Sequence, residues 1–560
     1  MGLEGTIPPQ VSNLSFLASL DLSDNYFHAS LPNEIGNCRQ LRQLYLFNNE
    51  LTGSIPQSLG NLSKLEESYL DSNHLTGDIP EEMSNLLSLK ILSLFVNNLT
   101  GSIPSGIFNT SSLQSISLSA NDLYGNLPMD MCDRIPNLNG LYLSYNQLSG
   151  QIPTSLHKCA KFQLISLSYN EFIGSIPEGI GNLSELEVLY LGQNYLTGEI
   201  PEALFNISSL RIFDLPSNNL SGKIPSSLSH CQELRTLSLS FNQFTGSIPL
   251  GIGNLSKLEE LYLGINNLTG ELPQALYNIS SLRAIDLQSN IFSDFLHTDI
   301  CHKLPALKVI NLSRNQIKGK IPSSLSHCQE LQIISLSFNQ FVGGIPQAIG
   351  SLSKLEELYL GVNNLAGGIP RGMGNLLNLK MLSLPFWQSS NSYLQPPSKT
   401  PTANSFQQST QCPTPSKSLL MWAASSAVIT IKNKFTGSIP IEIGNLPMLE
   451  EIYLGRNSLT GTIPPSFGNL SALKVLDLQE NNIQGNIPKE LGCLLSLQNL
   501  SLISNDLRGI VPEAIFNISK LQSISLADNH LSGNLPSSIG AWLPNLLQLH
   551  IGGNDSVEYS

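Results

Sequence analysis

The stretch LEELYLGINNLTGELP, Leu258 to Pro273, decides the fold of this 560-residue chain. Leu258, Leu261, Leu263, Asn266 and Leu268 fit the pattern L-x-x-L-x-L-x-x-N-x-L. Leu261-Tyr262-Leu263 predicts a very short strand, leucines inward and Tyr262 outward, because side chains alternate between faces along a strand. Asn266 turns the chain away from that strand. Its amide both donates and accepts, so it can satisfy backbone groups that the turn would leave buried and unpaired. Leu268 returns to the core, Gly270 permits a bend, and Pro273 fixes the next direction without needing a donor. The following QALYNISSL (274–282) is expected to return along the opposite side as irregular or 3-10 structure.

The stretch is laid down again along nearly the whole chain. Its Asn falls at Asn25, Asn49, Asn73, Asn97, Asn121, Asn146, Asn170, Asn194, Asn218, Asn242, Asn266, Asn290, Asn315, Asn339 and Asn363. After a break it resumes at Asn433, Asn457, Asn481, Asn505, Asn529 and Asn554. The spacing is 24, or 25 before Asn146, Asn315 and Asn554. A fixed period of this length marks a solenoid that grows by stacking coils rather than by adding globular domains. The expected fold is an α/β repeat, mostly strand and 3-10: a curved right-handed superhelix with a parallel β-sheet on its concave face.

The break is informative. Leu379, Leu382 and Leu384 open a normal coil, but Trp387 stands where Asn is expected. Residues 386–427 are rich in Ser, Thr, Pro and Gln and poor in apolar residues, so they are expected to be a low-complexity, disordered insertion. Retained non-coding sequence is the other reading of this segment. The expected organisation is therefore repeats over 1–385, the insertion over 386–427, and repeats over 428–560.

Composition narrows the function classes. Lys and Arg number 29 against 42 Asp and Glu, a net charge of −13, which argues against nucleic acid and anionic membrane as main partners. The longest apolar run outside the repeats, Ser418 to Ile431, is too short and interrupted to span a bilayer. GIGNLS-type segments have the wrong glycine spacing for a phosphate loop, and no HExxH or CxxC occurs. His230-Cys231 and His327-Cys328 sit four coils apart, roughly 19 Å at about 4.8 Å per coil, too far to share an ion. His297, Cys301 and His302 lack a fourth ligand. No catalysis, metal or cofactor is expected.

The second half of the repeat is the more diagnostic. LTGSIP at Leu51, LTGEIP at Leu196, LSGKIP at Leu220 and LTGTIP at Leu459 carry an LxGxIP element. With it the chain resembles the plant-type leucine-rich repeat of receptor-like kinases, receptor-like proteins and polygalacturonase inhibitors. Units such as NLSKLEELYLG at Asn254 and SLSKLEELYLG at Ser351 look like the receptor-kinase subfamily of the elongation-factor and flagellin receptors. The resemblance implies an extracellular ectodomain that binds a peptide or protein, with a co-receptor kinase as a further partner. It also implies paired-cysteine caps, a signal peptide, a membrane helix and a kinase domain, none of which is visible, so both ends read as cut and the membrane as reached only through a missing segment. A secreted polygalacturonase-inhibitor-like protein and a truncated, non-functional product are the alternatives.

Cys132 and Cys159 are 27 residues apart in consecutive coils, and Cys301 and Cys328 repeat that spacing. Each pair is expected to form a disulfide, although Cys38 and Cys231 show that cysteine can also simply replace the inward leucine of GNL. N-x-S/T sequons suggest glycosylation. Asn13, Asn61, Asn109, Asn182, Asn206, Asn254, Asn278, Asn469 and Asn517 lie on the return side and are the better acceptors, whereas Asn311 and Asn499 fall in strands.

Function is expected among outward strand-face residues, which the core does not require. Tyr45, Phe47, Tyr69 and Phe95 fall on three consecutive coils; Tyr142, Tyr145, Tyr169 and Tyr190 fall on three more. Aromatics supply contact area for a peptide or protein at low entropic cost. Tyr262 recurs in the same lane as Tyr359 and Tyr453, and Asp214, with Asp286 and Asp477, would read a basic ligand.

Overall fold

Each coil is built as its residue pattern dictates. The computed structural model describes residues 2–384, 433–537 and 539–555. In the founding stretch the strand is Glu260–Tyr262, one residue earlier than the alternation suggested, because the Leu263 amide is already committed to the Asp286 carbonyl of the next coil. Leu261, Leu263 and Leu268 are fully buried. The return side is a 3-10 segment, Gln274–Asn278, entered through Pro273.

The described residues fall into two compact units, one ending at Leu258 and the other starting at Glu259. In the first, ten three-residue strands run from Ser19–Asp21 to Thr236–Ser238, all parallel, each pairing with the strand one coil on, as Tyr45 with Tyr69 and Tyr190 with Asp214. In the second, eleven such strands run from Glu260–Tyr262 to Gln548–His550 in the same arrangement. The expected leucine-rich repeat solenoid with a parallel sheet is what the chain forms.

The repeat Asn stitches coil to coil. The Asn73 side-chain amide donates to the carbonyls of Leu46 in the preceding coil and of Leu70 and Asp71 in its own, and its oxygen accepts from the Leu51 amide. Asn97 and Asn363 repeat the pattern. Among the described residues, the one before the repeat Asn adopts left-handed backbone, from Asp24 (φ 55°) to Asp528 (φ 54°), whatever its side chain.

Two features were not legible as pattern. The LxGx element forms a second set of short parallel strands, such as Glu50–Ser54 beside His74–Asp78, where only a bend was expected; Gly53 at φ 73° makes that geometry accessible. The glycine of the GN pairs is a close-approach residue. A Cβ at Gly60 would lie 2.2 Å from the Glu82 carbonyl oxygen of the next 3-10 segment.

The expected insertion, 386–427, lies outside the described residues, but its flanks are informative. Asn433 donates to the carbonyls of Leu360 and Leu384 and accepts from the Leu365 amide. It therefore holds the position assigned to Trp387, and Leu379–Leu384 and the chain from Asn433 are two halves of one coil. Met381–Ser383 pairs with Glu451–Tyr453, and Asn364–Gly367 with Lys434–Ser438.

Cys132 is bonded to Cys159 and Cys301 to Cys328, each tying the return segment of one coil to that of the next, with Cα atoms 5.4 and 4.9 Å apart. Cys38 and Cys231 occupy the same position as Cys159 and Cys328 but are buried free thiols. Burial pushes the Cys231 thiol up to about 12.

Candidate functional site

The outward residues of the strand face divide into three lanes. The third residue of each strand makes the first; Tyr45, Tyr69, Tyr142, Tyr190 and Asp214 occupy it in the first unit and Tyr262 in the second. The residue after the next inward leucine makes the second, holding Phe47 and Phe95. The left-handed residue before the repeat Asn makes the third, holding Tyr145 (φ 58°) and Tyr169 (φ 57°).

These lanes sort the candidates. Tyr45 and Tyr69 approach to 5.4 Å between ring centroids, and Phe47 sits edge-on to Tyr69 at 6.3 Å. Phe95 lies two coils from Phe47 in the second lane, with Asp71 between them. Tyr145 and Tyr169 stack face to face at 4.2 Å and 11°. Tyr142 and Tyr190 are in the first lane, each the last residue of its strand. The Tyr142 ring lies over Gly140 of its own strand, where a Cβ would meet it at 2.7 Å. Tyr190 is in register with Asp214.

The face is acidic as well as aromatic. Burial pushes the carboxyls of Asp71, Asp214, Asp286 and Asp477 up to about 6, against an ordinary 3.8. The hydrogen bond from its hydroxyl to Glu67 holds the Tyr45 phenol up at about 12. Burial likewise raises Tyr262 and Tyr453, beside Asp286 and Asp477. A recurring arrangement holds those aspartates in place: a Cβ at Gly264 would come within 2.9 Å of Gln288 and 3.1 Å of Asp286, and the Gln288 backbone amide donates to the Asp286 carboxylate. Gly455, Asp477 and Gln479 repeat it. The sequence reading missed Asp71. Lane position was the signal available, since Asp71 stands one coil from both Phe47 and Phe95.

On the return side, Asn13, Asn61, Asn109, Asn182, Asn206, Asn254, Asn278, Asn469 and Asn517 are each the last residue of a 3-10 segment, and all are exposed. Asn311 is 1% exposed within its strand, so the folded coil has no room for a glycan there. Asn554 is part of the coil-to-coil ladder, accepting from the Leu531 amide. Among the described residues no group of three or more His, Cys, Asp or Glu is placed to hold a metal, and no helix is long and apolar enough to cross a membrane.

A family model described as leucine rich repeat matches residues 165–220, 184–244, 232–292, 294–341 and 447–507, and a second one matches 16–38, 40–62, 137–159 and 520–542. No curated protein sequence matches significantly. Solved structures similar to the chain include the plant peptide hormone receptor RGFR1 in complex with RGF2, at 33% identity and a TM-score of 0.81, covering 99% of this chain and 80% of that one. PEPR1 with AtPEP1 is 31% identical over 98% of this chain and 74% of that one, with a TM-score of 0.83. The Arabidopsis receptor kinase HAESA, in complex with the peptide hormone IDA and the co-receptor SERK1, is 30% identical, with a TM-score of 0.78 and coverage of 99% and 89%. The chain belongs to the leucine-rich repeat family, in the form that builds plant receptor kinase ectodomains.

Proposed function

We propose that this chain is the ligand-binding ectodomain part of a plant cell-surface receptor kinase, and that it takes an extended peptide or protein segment across the strand face. The supporting observation is the coincidence of two facts. Two similar structures, at 33% and 30% identity over nearly the whole chain, are a peptide hormone receptor solved in a complex and a receptor kinase solved with a peptide hormone. In this chain the aromatic side chains that the core does not need gather in lanes on the face that strand pairing leaves open. Immune or developmental signalling is the role we assign. The C-terminal coils are the proposed contact for a co-receptor kinase, as one similar structure is a complex with such a partner. Exposed return-side sequons are the proposed glycan sites, leaving the strand face clear.

Alanine at both Tyr69 and Phe95 tests the reading. Screening the secreted chain against a peptide library by calorimetry should give a ligand whose affinity falls at least tenfold in the double variant, with the circular dichroism unchanged. Unchanged affinity would remove these residues from the site. Tight binding of a secreted pectinase, with no peptide bound, would favour the inhibitor alternative instead.

A further inference from the structure

The coil from Leu65 to Asn73 departs from its neighbours in two ways. Ser68 replaces the inward leucine of the strand; it is fully buried and its hydroxyl has no hydrogen-bond partner. Three residues on, Asp71 is 6% exposed and its Oδ1 likewise has no partner. A buried polar oxygen left unpaired costs about 1–3 kcal/mol, more when charged, so its presence calls for an explanation.

The surroundings of Asp71 point to one. Backbone hydrogen bonds fix it between Phe47 and Phe95: the Asn48 amide donates to the Asp71 carbonyl, and the Ser72 amide to the Phe95 carbonyl. Its carboxyl faces the first lane, where the Ser93 hydroxyl hydrogen-bonds to it and the Tyr69 phenol feels its charge, while Oδ1 stays without a partner. Glu67 lies in the same strand as Tyr69 and accepts from the Tyr45 hydroxyl. Nearby cations are committed elsewhere, since Arg42 and Lys90 both pair with Glu66 at 2.6 Å. Among the described residues no ion pair reaches Asp71 or Glu67. The patch thus offers an unneutralised carboxyl flanked by aromatic rings, and supplies no cation of its own.

We propose that Phe47, Asp71 and Phe95, with Tyr45, Glu67 and Tyr69 alongside, form a subsite for a basic side chain of the ligand, a guanidinium or ammonium group. The cation hydrogen-bonds to the Asp71 oxygen that has no partner in the free chain and lies against the neighbouring ring faces. Charge-assisted hydrogen bonds and cation–π contact both strengthen in such a partly desolvated place. Entry requires a covering side chain or the Asp71 carboxyl itself to rotate, because Oδ1 is closed off from water. This subsite rests on the peptide-receptor reading above and names the ligand chemistry of one part of it.

The test uses the secreted chain with L-argininamide and its neutral near-isostere L-citrullinamide, titrated by calorimetry and by saturation-transfer NMR. The expected result is argininamide binding at least tenfold tighter than citrullinamide, lost by at least tenfold in Asp71→Asn and reduced in Phe47→Leu and Phe95→Leu. Asn182→Gln, on the return side, should bind as the parent does, and a melting temperature at pH 4 close to the parent's checks that Asp71→Asn folds. Equal binding of the two amides, or argininamide binding that Asp71→Asn leaves untouched, overturns the subsite. A second arm uses an array of decapeptides with single Arg or Gln residues. Peptides that bind through Tyr69 with no preference for Arg would overturn the subsite and leave the receptor reading standing. An array that binds nowhere, while argininamide still binds through Asp71, would sustain the subsite and remove the receptor reading.

Discussion

Asp71 carries a consequence for the free chain. Burial raises its carboxyl to about 6 from an ordinary 3.8, with the hydrogen bond from Ser93 pulling partly the other way, and Tyr69 feels the charges of both Asp71 and Glu67. A raised carboxyl pKa means that folding favours the protonated form. Its stabilisation is complete below about 3.8 and is lost as pH rises through 6. Asp71→Asn should therefore raise the melting temperature at pH 8, by the equivalent of up to about 3 kcal/mol at about 1.4 kcal/mol per unit, and change it little at pH 4. Thermal unfolding across that range reads it directly; a lowered melting temperature at pH 8 would mean that the carboxylate is paired after all. Half-buried Glu66 has the opposite sign, held low by Lys90 and Arg42. The ladder asparagines are a second residue-scale case. Asn73→Ala removes three donated bonds and one accepted bond at a site 4% exposed. The expected loss is about 3 kcal/mol or more by urea unfolding, because carbonyls of two coils are left buried and unpaired. That role was legible in the sequence, where Asn alone recurs with both donor and acceptor capacity. Asp71 was not, because an orphaned oxygen is a property of its neighbours, three coils' worth of side chains that no pattern of one residue type reveals.

At the scale of the element, the pattern disclosed inward positions well and backbone approach poorly. Leucine and asparagine spacing placed strand and turn because those residues carry the burial and the hydrogen bonds. Glycine in GNL read only as a loop residue. Its reason is steric: a Cβ at Gly60 would collide with the Glu82 carbonyl at 2.2 Å, and one at Gly350 with the Gly372 carbonyl at 2.1 Å. Backbone cannot swing aside as a side chain can, so Gly60→Ala is expected to destabilise by about 1–3 kcal/mol despite alanine's small size. Gly106→Ala, which meets only the Ser84 side chain (nearest atom Oγ, 2.4 Å), should cost less. Equal losses in the two variants by urea unfolding would show that the stacked 3-10 segments can shift apart. The disulfides act on the same segments. Reducing Cys132–Cys159, or replacing both residues with Ser, should cost about 3–4 kcal/mol on the loop-entropy account for a 27-residue separation. The lanes of the strand face were only half legible, since the sequence grouped Tyr142 with Tyr145 although one stands on the strand and the other on the left-handed residue after it.

For the whole molecule, the deciding place is the junction between Leu384 and Asn433. Strands one coil apart are normally 24 residues apart, but Met381 pairs with Glu451 across 70. Everything around the junction nevertheless keeps the register of a single uninterrupted coil. The Leu384 amide donates to the Tyr453 carbonyl, the Glu450 amide to the Lys380 carbonyl, and Asn433 bonds back to Leu384. Side chains agree: Lys380 pairs with Glu356 at 2.6 Å, Lys474 pairs with Glu450 at 2.6 Å, and Lys380 also feels the charge of Glu450, so an alternating ladder of charge runs through the junction. Deleting residues 387–432 leaves Leu384-Pro385-Phe386-Asn433, which restores L-x-x-N and a normal coil. The connection then shrinks from 48 residues to two, and loop-closure entropy predicts a gain of up to about 3 kcal/mol. The deletion variant should be secreted, unfold in at least as cooperative a transition, and bind any ligand of the strand face as the parent does. Transcripts that splice out the same codons would show that the coil was once, or is in part, made whole. Loss of secretion or of ligand binding in the deletion variant would instead make the inserted segment a working part of the receptor, and the uninterrupted register around it a platform for that part.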